Sequence, residues 1–140
     1  MNMIKSLINR LLCREIQNVE TRIYDWLTAI DSKETVPSEI TAFNIGIFEQ
    51  DEGYSIYLTG SEEYDADGDD WACDVDFEPA NKYLELSGPG IKAMEWQEFQ
   101  DMIVKIVSDY LDTSANTSTS VFAGRVVMVG FDDGQLVRVK

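Results

Sequence analysis

The chain has 140 residues, of which 26 are Asp or Glu and 11 are Lys or Arg, so its formal net charge is −15. A composition that is 44% hydrophobic and 11% aromatic is too apolar for a disordered acidic tail, and the length suits a single domain with one core. The strong negative charge argues against nucleic acid and anionic lipid headgroups as partners, and it favours a basic protein.

Apolar residues recur at helical spacing through residues 1–31, which predicts one long helix or two abutting helices. Lys5 and Arg10 interrupt this pattern, so the segment lacks the apolar region of a secretory signal, and no stretch approaches the roughly 20 apolar residues of a membrane span. Cys13 and Cys73 form neither a CxxC motif nor a disulfide framework, and both fall on predicted apolar faces, where a thiol is inert packing. We therefore expect a cytoplasmic protein.

In residues 42–87 the apolar residues recur at every second position, which predicts four strands. The first two alternate on either side of the Asp51-Glu52-Gly53 turn and predict a β-hairpin. The third spans residues 71–77, with one buried face led by Trp71 and one acidic face, and a short fourth follows at residues 84–86.

The clearest helical stripe lies in residues 94–112, and residues 120–140 predict two strands joined at an Asp-Gly turn. This order predicts an α+β domain with a mainly antiparallel sheet of about six strands, packed against helices on one face and partly open on the other. Trp26, Trp71 and Trp96 each lie in a different element and are predicted to anchor the core.

Residues 62–78 contain nine acidic residues and no basic one. Because like charges repel one another, a folded protein needs a physical reason to keep them together. One hypothesis is a docking surface for a basic partner, because spaced carboxylates both steer and select a cationic surface. Tyr64 would add the aromatic anchor that charge alone does not supply. The residues that this hypothesis assigns to partner binding are Glu62, Glu63, Tyr64, Asp65, Asp67, Asp69, Asp70, Asp74 and Asp76.

Two alternatives remain open for the same acids. Asp65, Asp67 and Asp69 match positions 1, 3 and 5 of a calcium loop and Asp76 would close it, although Asp70 stands where such loops have glycine. The other alternative is a solvated surface on a structural or scaffold subunit, in which the acids prevent strand edges from pairing and the protein could form a homodimer.

An enzyme is disfavoured, because the chain has no histidine and therefore lacks the commonest general base and transition-metal ligand. It also has no GxxxxGK[ST] phosphate loop and no GxSxG nucleophile motif. We predict no catalytic residues and no cofactor.

The small size, the acidity, the segment WACDVDFEP and the closing segment VVMVGFDDGQLVRVK together resemble the small cytoplasmic immunity proteins that bacteria encode beside polymorphic or contact-dependent toxins. The resemblance is one of general character over most of the chain. It implies a protein that binds a cognate toxin domain and blocks its active site, and a basic toxin domain would suit the charge of this chain.

Overall fold

A computed structural model describes residues 3–140, with the backbone alone for residues 3, 5, 6 and 8, so the first two residues of the predicted helical segment lie outside it. The chain is α+β, as predicted. Its elements in chain order are α1 (Met3–Lys33), β1 (Ala42–Gln50), β2 (Gly53–Ser61), a 3-10 helix (Asp70–Cys73), β3 (Tyr83–Ser87), α2 (Pro89–Ala93), α3 (Trp96–Thr113), β4 (Val126–Phe131) and β5 (Val137–Arg138).

The N-terminal segment forms one helix, α1, of 31 residues, which at about 1.5 Å per residue is roughly 46 Å long. Its second half supplies a buried stripe to the core: Val19, Ile23, Trp26, Leu27 and Ile30. Its first turns are different, because Leu7 is 58% and Leu11 is 53% exposed. The helical period therefore predicted the helix but not how much of it packs.

Helix α3 confirms the apolar stripe predicted in residues 94–112, and its buried side chains include Phe99, Ile103 and Tyr110. A reciprocal capping box between Glu95 and Glu98 fixes where the helix begins. Trp96 was predicted to be a core anchor, and that prediction is wrong: the first residue of α3 lies at the edge of the core with its side chain 54% exposed.

The sheet has five strands in the order β3-β2-β1-β4-β5. The predicted hairpin of β1 and β2 is confirmed, and β3 and β5 also pair antiparallel with their neighbours. Strands β1 and β4 are parallel, with Ala42 opposite Val126. The sheet is therefore mixed, because the long connection through the helices lets β4 run beside β1 in the same direction. It also has one strand fewer than predicted.

The strand predicted over residues 71–77 does not form. Trp71 is buried in the 3-10 helix, but Cys73 and Val75 are exposed, and only Phe77 makes an isolated bridge, to Gly60. Strand β3 pairs with β2 only as far as Tyr57, and beyond that residue β2 makes this one bridge. The alternation of polar and apolar residues therefore did not produce a β-strand here.

The two faces of the sheet have different coverings. All three α-helices pack on the face formed by alternating apolar residues such as Ile45, Ile56 and Val129, as predicted. The opposite face, called the open face below, carries Asn44 and Thr59, and within residues 3–140 no α-helix packs on it; the 3-10 helix reaches it through Trp71. Within residues 3–140, no helix is both long and apolar enough to cross a membrane.

Candidate functional site

The acidic segment, residues 62–78, leaves the end of β2 and lies against the open face. Trp71 holds it there by packing in a small cluster with Ala42 of β1 and Met128 of β4. The Tyr64 ring packs edge-on against Trp71 at a centroid distance of 5.2 Å, and the Arg138 guanidinium lies 5.9 Å from the Tyr64 centroid. Tyr64, predicted to be a contact residue, is thus half-buried and helps to hold the segment.

Three of the predicted binding carboxylates accept hydrogen bonds from backbone amides. Asp65 accepts from the amide of Asp67 at 2.9 Å and Asp76 from that of Glu62 at 2.8 Å. Asp69 accepts from the amide of Leu136 at 3.0 Å, which ties the segment to the connection between β4 and β5. These three acids shape the segment.

The other five predicted acids project into solvent. Within residues 3–140 their carboxylates accept no hydrogen bond and form no ion pair; they are Glu62, Glu63, Asp67, Asp70 and Asp74. In that same range, Glu78 is the one acid of the segment that meets a lysine or arginine, with 3.2 Å between its Oε1 and Lys82 Nζ. The segment therefore presents uncompensated negative charge from a fixed backbone.

The calcium alternative gains no support from this geometry. Asp65, Asp69 and Asp76 direct carboxylate oxygens at three different backbone amides. In the described part of the chain, no group of three or more cysteine, aspartate or glutamate side chains is arranged so that it could hold a metal ion.

Beside the acidic segment, the open face forms a cavity of about 570 Å³, called the open-face cleft below. Such a volume lies within the usual range of ligand sites. Asn44 and Thr59 lie opposite each other on β1 and β2 and form its floor. Asp69 and Cys73 of the acidic segment border it on one side, and Asp132, just after β4, borders it on another.

Aromatic side chains form a further wall of the cleft. Phe48 lies within 6.4 Å of the rings of Tyr57 and Tyr83, measured between centroids. Gly46 makes this arrangement possible, because a Cβ at that position would collide with the Tyr57 ring. Lys82 Nζ lies 5.1 Å from the Tyr83 centroid and pairs with Glu78, so its charge is partly neutralised.

The hydroxyl of Tyr57 donates a hydrogen bond to Asp132 Oδ1. Burial of the ring, followed by this hydrogen bond and by the negative charge of Asp132, raises the pKa of Tyr57 above its ordinary value of 10.0. The phenol therefore remains a neutral donor at physiological pH, and it orients Asp132 at the edge of the cleft.

The floor of the cleft contains buried polar atoms without a partner. Asn44 is 6% and Thr59 is 2% exposed, yet within the described residues Asn44 Oδ1 accepts no hydrogen bond and the Thr59 hydroxyl makes none. Ser55 Oγ on the same face and Trp71 Nε1 are also buried without a partner, but neither lines the cleft. Because buried polar atoms are nearly always hydrogen-bonded, the floor is a candidate contact surface for a ligand.

Both cysteines depart from the prediction that they are inert packing. Cys13 is exposed on α1, and Cys73 is exposed at the border of the cleft. Both lie where the apolar period of the sequence continues, although the structure leaves them exposed.

Sequence reasoning found the acidic border of the site and missed its floor. The alternation that predicts the hairpin gives Asn44 and Thr59 no role in a site. A signal for them was present in the sequence: amide and hydroxyl side chains lie on the alternate face of two central strands. If that face is covered, the polar atoms of these side chains need hydrogen-bond partners.

Comparison with protein-family models, curated proteins and solved structures found no match to this chain. The chemistry of the surface is therefore what indicates a function.

Proposed function

We propose that this chain is an acidic protein-binding module that binds a basic protein through its acidic segment. The observation that carries the proposal is the set of five exposed carboxylates without internal partners, displayed on a backbone held by Trp71 and by the Asp69 hydrogen bond to Leu136. Prior ordering matters, because a fixed surface loses little conformational entropy when it binds.

The electrostatics support a cationic partner. Clustered like charges raise the energy of the isolated protein, and a complementary surface relieves this repulsion on binding. The same field speeds association at low salt and discriminates against acidic proteins. Specific binding of this kind is stoichiometric and requires no catalytic residue.

The finer form of the proposal is an immunity protein that neutralises a cognate bacterial toxin domain. It is supported by the resemblance in size, acidity and the WACDVDFEP and VVMVGFDDGQLVRVK segments. In that role the acidic segment would cover a basic active-site surface of the toxin and exclude its substrate.

The decisive experiment compares two charge-matched variants as baits in the lysate of the source organism. Asp67→Lys, Asp70→Lys and Asp74→Lys together reverse three carboxylates without internal hydrogen bonds. Asp69 is left intact because its hydrogen bond to Leu136 is structural.

The control reverses three exposed acids elsewhere, Glu20, Glu39 and Asp112, and so changes the net charge equally. We expect a basic protein that wild type and control retain at low salt, that is released as salt rises, and that the segment variant no longer retains. Equal retention by both triple variants would show that net charge, and not the acidic segment, governs binding.

A further inference from the structure

The floor of the open-face cleft is built to accept hydrogen bonds. Asn44 Oδ1 and Thr59 Oγ1 are both buried and have no partner in the described residues, and the two residues face each other across β1 and β2. An occupant with several N–H donors would satisfy both atoms at once.

The border of the cleft adds negative charge to these acceptors. Asp69 uses Oδ2 to accept from the amide of Leu136, and Asp132 uses Oδ1 to accept from Tyr57. The second oxygen of each carboxylate has no partner within residues 3–140, so both can accept from an occupant. Lys82 is the one cationic side chain among the described lining residues, and it pairs with Glu78.

The aromatic wall of the open-face cleft further restricts which chemical group the cleft can bind. Phe48, Tyr57 and Tyr83 present flat rings beside the acceptors. A guanidinium group is cationic, planar and carries five N–H donors, so it can stack on a ring while it donates to several acceptors. An ammonium group has three donors and no plane, and a neutral amide can donate to the carboxylates but carries no charge to pair with them.

We propose that the open-face cleft binds the guanidinium of an arginine side chain that the basic partner inserts, an inference that rests on the proposed function. A protein side chain is the favoured source because the cleft and the acidic segment are continuous: Asp69, Cys73 and Val75 belong to both. A partner docked on the exposed acids is therefore adjacent to the cleft, and the charge of the border selects its arginine.

The test uses a defined probe and needs no partner. The isotope-labelled full chain is titrated with N-acetyl-arginine methylamide and, separately, with the citrulline analogue, which has nearly the same shape but no charge, while backbone amide shifts are recorded by NMR. We expect the arginine probe to shift the amides of Asn44, Thr59 and Gly130, and the citrulline probe to shift them far less.

Thr59→Val removes the hydroxyl with little change of shape, and we expect it to weaken arginine binding about tenfold, the effect of losing one hydrogen bond to a charged donor. Ser55→Ala is the matched control, because Ser55 is also a buried hydroxyl without a partner on the open face but does not line the cleft. It should bind the probe as wild type does.

Shifts confined to the exposed acids, equal responses to both probes, or unchanged binding by Thr59→Val would overturn the inference. Its failure can be told apart from failure of the proposed function, because Asp67, Asp70 and Asp74 do not line the cleft. If the probe fails while salt-sensitive capture persists, the inference alone falls. If Thr59→Val captures the basic partner as well as wild type does, the assignment to a partner's arginine is wrong.

Discussion

Replacing Thr59 by valine should stabilise the protein even though it impairs the cleft. Thr59 is almost completely buried in β2 opposite Asn44, and its hydroxyl has no partner among the described residues. An unsatisfied buried polar group costs about 1–3 kcal/mol. Valine keeps the branched shape and the preference for strands, so little is lost in exchange.

We therefore expect Thr59→Val to raise the free energy of unfolding by about 1 kcal/mol. For a chain of this size that corresponds to a rise in Tm of roughly 3 °C. Denaturant unfolding followed by fluorescence is the assay, and the midpoint should rise while the slope of free energy against denaturant stays unchanged, because the surface exposed on unfolding is the same.

Two comparisons make the result interpretable. Ser55→Ala should change stability in the same direction, since Ser55 Oγ is also buried without a partner. Thr59→Ala should gain less than Thr59→Val, because it also removes a methyl group and leaves a small cavity. If Thr59→Val instead destabilises the protein by about 1 kcal/mol, the hydroxyl has a partner and the argument for an unsatisfied floor fails.

Two further predictions concern titration and the first helix. The raised pKa of Tyr57 means that the folded state holds this proton more tightly than the unfolded state, so stability is lost as pH rises past about 10, and Tyr57→Phe should flatten that alkaline decline in thermal unfolding. Leu7→Lys with Leu11→Lys should leave the unfolding free energy within about 0.5 kcal/mol of wild type because both side chains are exposed. The matched core variant Ile23→Ala should cost about 2–5 kcal/mol. A molar mass in light scattering that falls in the double variant would identify these turns as a self-association surface and favour the scaffold alternative.

The elements that sequence analysis predicted well are those whose signal is local. The apolar residues of α1 and α3 recur at the period of a helix. Those of β1 and β2 recur at every second position on either side of a short turn. The run of acids between β2 and β3 was also visible in the sequence, because charge needs no partner to be counted.

Other features were decided only by the tertiary structure, because they depend on which elements pack against each other. Residues 71–77 alternate like a strand, but Trp71 lies in a 3-10 helix packed on Ala42 and Met128, and only Phe77 bridges β2. The parallel pairing of β1 with β4 joins segments that are far apart in the chain. The cleft exists because the acidic segment folds over the open face and encloses Asn44 and Thr59, whose polar atoms would be satisfied by water on a bare sheet. A side chain's burial depends on distant residues, so local periodicity could predict the floor's strands but not its enclosure.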